Sequence, residues 1–186
     1  MTKTKAQQIM AATEARAADD VTAAIKDIAT EFEPYIIKQR RHFHKHPELS
    51  LAEERTTSDI ANQLDAMNIP YERPLKTGLV ATLRGTAPDS YREDGTPRRR
   101  ILLRADIDAL PVTEQTGEEF ASVNEGCMHA CGHDMHAAML LGAAKLLQEY
   151  RTQLQGTVKL VFQPDEEGFT GAKAMLAAGV LREPAP

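Results

Sequence analysis

The segment MHACGHDMH, residues 128–136, sets Cys131, Asp134 and three histidines, His129, His133 and His136, within nine positions. Thiolate, imidazole and carboxylate are the side chains that bind zinc and its first-row neighbours. Cys131 and His133 flank Gly132, and glycine lets the backbone turn tightly enough for both side chains to converge on one point. Each residue also has an ordinary structural reading. An isolated cysteine is a small buried hydrophobe, and an isolated histidine is a surface or satisfied core residue. Clustering favours a metal site, with Cys131 and His133 as its leading ligands. His129 and His136 are weaker candidates, because the apolar run that follows opens a helix on which His136 stands one turn after His133. There His136 either supports the site from behind or caps the helix.

Two acidic pairs extend the constellation. Asp106 and Asp108, in RADIDALP, alternate along an extended segment and so point to the same side. Either binds a metal directly or accepts a hydrogen bond from a ligand imidazole, which fixes the tautomer; a solvated loop pair is the plain alternative. Glu166 and Glu167, in FQPDEEG, are adjacent carboxylates that repel each other unless a cation neutralises one. Metal-assisted hydrolysis needs a ligand and a general base, and two neighbouring glutamates can divide those roles. An acidic turn formed with Asp165 is the competing reading.

The rest of the chain must position these groups. With 186 residues, 42% apolar and 26% charged, it is long enough for one domain with a real core. A net charge of -5, no tryptophan and 5% aromatic residues argue against a nucleic-acid binder. Arg98, Arg99 and Arg100 read as a solvated loop end. No apolar stretch is long enough to span a bilayer, and the N-terminus lacks the apolar centre of a secretory signal, so a cytoplasmic location is expected. In that setting Cys127 and Cys131 are thiols rather than a disulfide, with Cys127 a bystander.

Val21, Ile25, Ile28, Phe32 and Ile36 define an apolar helical stripe that should dock, locally kinked by Pro34, and Pro47 ends the turn that follows. Residues 53–67 predict a second helix and 69–73 a short extended piece. Residues 79–83 and 101–103 predict strands joined by a polar hairpin loop. Residues 140–150 predict a helix, 158–162 a buried central strand, and 172–178 a last helix. The alternation implies an α/β fold, a layered mixed sheet with helices on both faces. In such sheets ligands bind outside the carboxyl ends of strands, which is where RADIDALP, CGHD and QPDEEG should meet.

The strings RRHFHKHPELSLAEERT, ILLRADIDALP, MHACGHDMHAAMLLGAAKLL and VKLVFQPDEEGFTGAKAMLAAGVL, in this order and spacing, resemble a family of dinuclear-metal amidohydrolases and peptidases. It includes hippurate hydrolases, bacterial N-acyl-amino-acid amidohydrolases and plant hydrolases of auxin conjugates, within the wider aminoacylase and carboxypeptidase group. The likeness implies an incomplete catalytic domain of zinc-peptidase-like fold, with residues 1–30 a helical extension and 31–186 the N-terminal part of the catalytic domain. It makes Cys131 and His133 metal ligands, Glu167 a further ligand and Glu166 the general base. Asp108 aligns with an aspartate that orients a ligand, Asp106 stands where the wider group carries a metal-binding histidine, and Asp134 and His136 take supporting places. Two divalent ions are implied, zinc or manganese, with cobalt or nickel also suitable. The implied substrate is a small N-acyl amino acid, cleaved to a carboxylic acid and an amino acid, with no nucleic-acid or membrane partner. Full-length relatives are expected to be homodimers.

The resemblance also exposes a departure. Relatives carry two more histidine ligands, one soon after the segment matching GVLREPAP and one near the far C-terminus, and an inserted smaller domain. The remaining histidines here, His42, His44 and His46, belong to the N-terminal motif. The expectation is therefore a truncated form with residual single-metal binding and little activity. Two other classes fit the motif: a non-catalytic metal-binding module, and a thiol hydrolase with Cys131 as nucleophile and His133 or His129 as base. Four converging carboxylates favour the metal hydrolase.

Overall fold

The computed structural model describes residues 5–182, with side chains described from residue 20 onward. Contacts divide the chain into two units, Met1–Pro34 and Tyr35–Pro186. The first helix, α1, spans Lys5–Lys45 and runs through Pro34. Proline lacks the N–H and so removes one i to i−4 bond, and the turns on either side keep the helix continuous. Of the apolar stripe, Phe32 is buried whereas Val21 and Ile25 are exposed. Periodicity identifies an amphipathic face and says nothing of what covers it. The helix stops two residues before Pro47, where proline cannot continue it.

Four strands follow, β1 Tyr71–Glu72, β2 Leu79–Arg84, β3 Arg100–Asp106 and β4 Thr157–Gln163, in the order β1-β2-β4-β3. β2 is antiparallel to β1 and β4, and β3 is parallel to β4. β2 and β3 therefore do not form the expected hairpin. All seven residues of β4 are buried. A strand of that kind takes a neighbour on each side, and here it inserts between the two strands that precede it in sequence. The intervening polar loop closes on itself instead, with Tyr91 bridging Pro97.

Helices α2 (Glu54–Ala66) and α3 (His133–Glu149) cover one face, where Ile60, Leu64, Ala137 and Leu141 pack with Leu79, Leu83, Leu160 and Phe162. α4 (Gly171–Ala177) sets Met175 against Val80 and Val161 on the other face. The mixed α/β sheet with helices on both faces is as expected. Leu141, Leu160 and Phe162 are fully buried, so truncating any one to alanine should cost about 2–5 kcal/mol. α3 begins at His133, so the helix extends N-terminally past the 140–150 range and the ligand motif forms its first turn, with His136 one turn after His133. The β3-α3-β4 crossover brings the carboxyl ends of both parallel strands, Asp106 and Gln163, to one edge beside the start of α3. Among the described residues no helix is long and apolar enough to cross a membrane.

Candidate metal and catalytic site

Backbone pairing continues past the end of β3. The Ile107 amide donates to the Gln163 carbonyl at 3.1 Å, Ala109 donates to the Glu48 carbonyl at 2.8 Å, and Leu110 and Met128 exchange two bonds of 3.0 Å. These links lace the PELS, DALP and MHA segments together and leave Asp108 fully buried beneath the strand ends. Gly132, the residue before α3, has φ +85°, and a Cβ added there would meet nothing within 4 Å. Glycine is required by the left-handed backbone and not by crowding.

His133 is the hub. Its Nδ1 lies 3.0 Å from the Asp108 carbonyl oxygen and 3.1 Å from Asp108 Oδ1. A carbonyl oxygen only accepts, so Nδ1 carries the hydrogen and Nε2 presents a lone pair. That Nε2 faces Glu166 Oε2 at 3.7 Å, Asp106 Oδ2 at 3.8 Å and Glu167 Oε1 at 3.9 Å. Burial opposes the His133 imidazolium, but the Asp108 hydrogen bonds and the Asp106 charge outweigh it and raise the pKa. For Asp108, burial is outweighed by hydrogen bonds from His133, the Glu167 amide and the Ser50 hydroxyl, which bring its carboxyl down to about 2.

Two sets of donors gather here, Cys131 with His133 and Glu167, and Asp106 with His133 and His136, each with ligand atoms within 4.8 Å of one another. The first set fits a divalent cation. Glu167 Oε1 is buried with no hydrogen-bond partner among the described residues, and an orphaned carboxylate oxygen facing a free imidazole nitrogen is stabilised by a shared cation. Its thiolate, imidazole and carboxylate chemistry suits zinc. The second set is less suited, because the Arg104 guanidinium already pairs with Asp106 and its Nε donates to Gln163 Oε1 at 2.7 Å. His136 Nδ1 stands 3.3 Å from Asp106 Oδ2, and its ring stacks on His133 at 5.5 Å.

Cys131 is exposed and Cys127 buried, both free thiols. A hydrogen bond to Glu167, then burial and the charges of Glu167, Glu166 and Asp106, push the Cys131 thiol up. That disfavours the free thiolate a cysteine nucleophile needs, and a cation in the cluster would reverse it. His129, the other base considered for thiol chemistry, is buried with neither ring nitrogen partnered among the described residues, and burial brings its pKa down to about 4.

Asp106, Asp108, Cys131, His133, His136, Glu166 and Glu167 thus come together. Asp134 does not join them. Its Oδ2 turns to His44 Nδ1 at 2.7 Å and Arg40 Nε at 2.9 Å, tying the first turn of α3 to α1. His44 Nε2 in turn contacts Glu114 Oε1 at 3.1 Å. His44, Arg40, Glu114 and Ser50 were missed as contributors because no local spacing marks them. Their only signal is that all but Glu114 lie in the N-terminal string of the resemblance.

Residues 102–186 match peptidase family M20/M25/M40. The chain is 46% identical over 155 residues to an N-acetylcysteine deacetylase of Bacillus subtilis, covering 81% of this chain and 38% of the relative. It is 43% identical over 159 residues to an N-acyl-L-amino acid amidohydrolase of Geobacillus stearothermophilus, covering 84% of this chain and 40% of the relative. Among solved structures it matches a Bacillus subtilis dinuclear metal binding peptidase of the M20 family with TM-score 0.72 and 44% identity, over 84% of this chain and 41% of the other. The chain therefore spans about two fifths of the length of these relatives.

Proposed function

We propose that the protein containing this chain hydrolyses the amide bond of N-acyl amino acids, releasing a carboxylic acid and an amino acid. The reading is carried by one observation: Glu166 and the donors Cys131, His133 and Glu167 converge on a single point at the carboxyl edge of the sheet. The relatives' names, N-acetylcysteine deacetylase and N-acyl-L-amino acid amidohydrolase, support the substrate class. Residues 31–186 are assigned to the N-terminal part of the catalytic domain, and the free thiols Cys127 and Cys131 suit a reducing cytoplasm.

Cys131, His133 and Glu167 would hold one divalent ion, zinc or manganese, and three protein donors leave a position open. When bound, the ion acidifies water toward neutral pKa and polarises a carbonyl oxygen. Asp108 keeps the Nδ1 hydrogen of His133 in place, so Nε2 stays directed at the cluster. Glu166 is the more exposed of the acidic pair, 36% against 22% for Glu167, so its carboxylate is the one open to substrate. It takes a proton from the attacking water as the carbon–oxygen bond forms, and returns it to the amide nitrogen as the carbon–nitrogen bond breaks. Asp106, held by Arg104, and His136 flank His133 and limit its ring rotation.

The test measures metal content of the chain, and hydrolysis of N-acetyl and N-benzoyl amino acids by the protein that contains it. Glu166→Gln should keep the metal and lose roughly 100-fold or more in kcat. Glu167→Gln should lose the metal first. A wild-type protein that takes up no metal, or a Glu166→Gln variant as fast as wild type, sinks the reading.

A further inference from the structure

Glu53 is fully buried yet stands outside the donor cluster. It precedes α2, but its side chain makes no capping bond to that helix. Its Oε1 instead accepts a 2.8 Å hydrogen bond from the backbone amide of Asp165, 112 residues away in sequence. Its Oε2 has no partner among the described residues. Burial raises the Glu53 pKa against hydrogen bonds from backbone amides and the Thr77 hydroxyl. A buried carboxyl is a costly way to fill space, so its bond to the distant Asp165 amide is the feature to explain.

Asp165 is the pivot of the turn that carries the acidic pair. It is buried, with φ +52°, a left-handed conformation uncommon outside glycine. Its carbonyl accepts from the Gly171 amide at 3.1 Å, and its carboxylate takes the Thr170 hydroxyl. Glu166 and Glu167 leave directly from this residue, and the Glu167 amide is then caught by Asp108 Oδ2 at 2.9 Å. The pair is strung between two buried carboxylates, Glu53 before it and Asp108 after it.

We infer that Glu53 is a positioning residue for the acidic pair: its carboxylate fixes the Asp165 amide and so sets the direction in which Glu166 and Glu167 leave β4. This rests on the roles proposed above for those two glutamates. The chemistry asked of Glu53 is an acceptor at one place and not a charge, so glutamine should replace it. Leucine keeps the bulk and removes the acceptor. Aspartate keeps the charge and withdraws the acceptor by one methylene.

The experiment titrates the chain and its Glu53→Gln, Glu53→Leu and Glu53→Asp variants with cobalt(II), followed by thiolate charge-transfer absorption from Cys131. In parallel it measures amide hydrogen exchange at residues 165–167 and within α3, at a temperature where each variant is folded. Glu53→Gln should bind cobalt within about threefold of wild type. Glu53→Leu and Glu53→Asp should bind roughly 10- to 100-fold more weakly, the range for losing a group that orients a ligand. Both should exchange faster at 165–167 while α3 is unchanged, a local effect that general loosening of the fold does not give. If Glu53→Leu does not fold, the contrast between Glu53→Asp and Glu53→Gln decides. Wild-type affinity and exchange in Glu53→Asp, or losses in Glu53→Gln equal to those in Glu53→Asp, overturn the inference. If the wild-type chain binds no cobalt, the metal reading fails separately, and the exchange rates alone judge Glu53.

Discussion

His133 and Asp108 are joined twice, Nδ1 lying 3.0 Å from the Asp108 carbonyl oxygen and 3.1 Å from its carboxylate. The same carboxylate accepts the Ser50 hydroxyl at 2.8 Å and the Glu167 amide at 2.9 Å. One buried aspartate therefore orients an imidazole from α3 and the backbone beside a carboxylate from the β4–α4 turn.

Removing Asp108 should loosen both donors together. Asp108→Ala is expected to weaken zinc binding roughly 10- to 100-fold, and Ser50→Ala, which deletes only one bond to the aspartate, by a few-fold at most. Competition titration against a chromogenic chelator measures both. Equal losses in the two variants would place the effect in general packing around Ser50.

The Asp108 carboxyl also makes stability depend on acid. Its folded pKa is about 2 against an ordinary 3.8, so its contribution is full above the ordinary value and is lost as pH falls from there toward 2. That is about 2 kcal/mol for the metal-free chain. Urea unfolding of wild type should weaken more steeply over this window than that of Asp108→Asn. Parallel curves would mean that Asp108 is not held in the ionised form.

Gly132 tests the entry to α3. Its φ of +85° is open to no steric objection from neighbours, so Gly132→Ala should cost about 1–2 kcal/mol through backbone conformation alone. Gly132→Asn should cost less, since asparagine tolerates the left-handed region. At Gly171 an added Cβ would lie 1.7 Å from the Pro164 carbonyl oxygen, so Gly171→Ala should be worse than either. Thermal melts of the three variants rank them, and a Gly132→Ala as costly as Gly171→Ala contradicts the geometry.

The contrast between these positions shows what the residues announce by themselves. Cys131, His133, Glu166 and Glu167 were legible because donors cluster within short strings and because strand ends in an α/β sheet share an edge. The place of β4 between β2 and β3 was not, since local patterns name strands without naming their neighbours. Nor was the outward turn of Asp134, which His44 and Arg40 claim from α1 across some 90 residues. Long-range polar pairing has no periodicity to betray it. The same holds for Asp165, whose amide donates to a glutamate from before α2.

His129 carries the remaining acid sensitivity that the fold builds into this segment. Burial, with neither ring nitrogen partnered among the described residues, lowers its pKa from 6.5 to about 4, so the unfolded chain binds its proton first. Stability is full above pH 6.5 and is lost as pH falls toward 4, on the order of 3 kcal/mol across the window. His129→Phe removes the titrating ring while keeping an apolar body in the cavity. Its melting temperature should fall less than that of wild type between pH 6.5 and pH 4 in metal-free buffer. If the two proteins lose the same number of degrees, the His129 ring finds a proton partner in solution, and the destabilisation belongs to other groups.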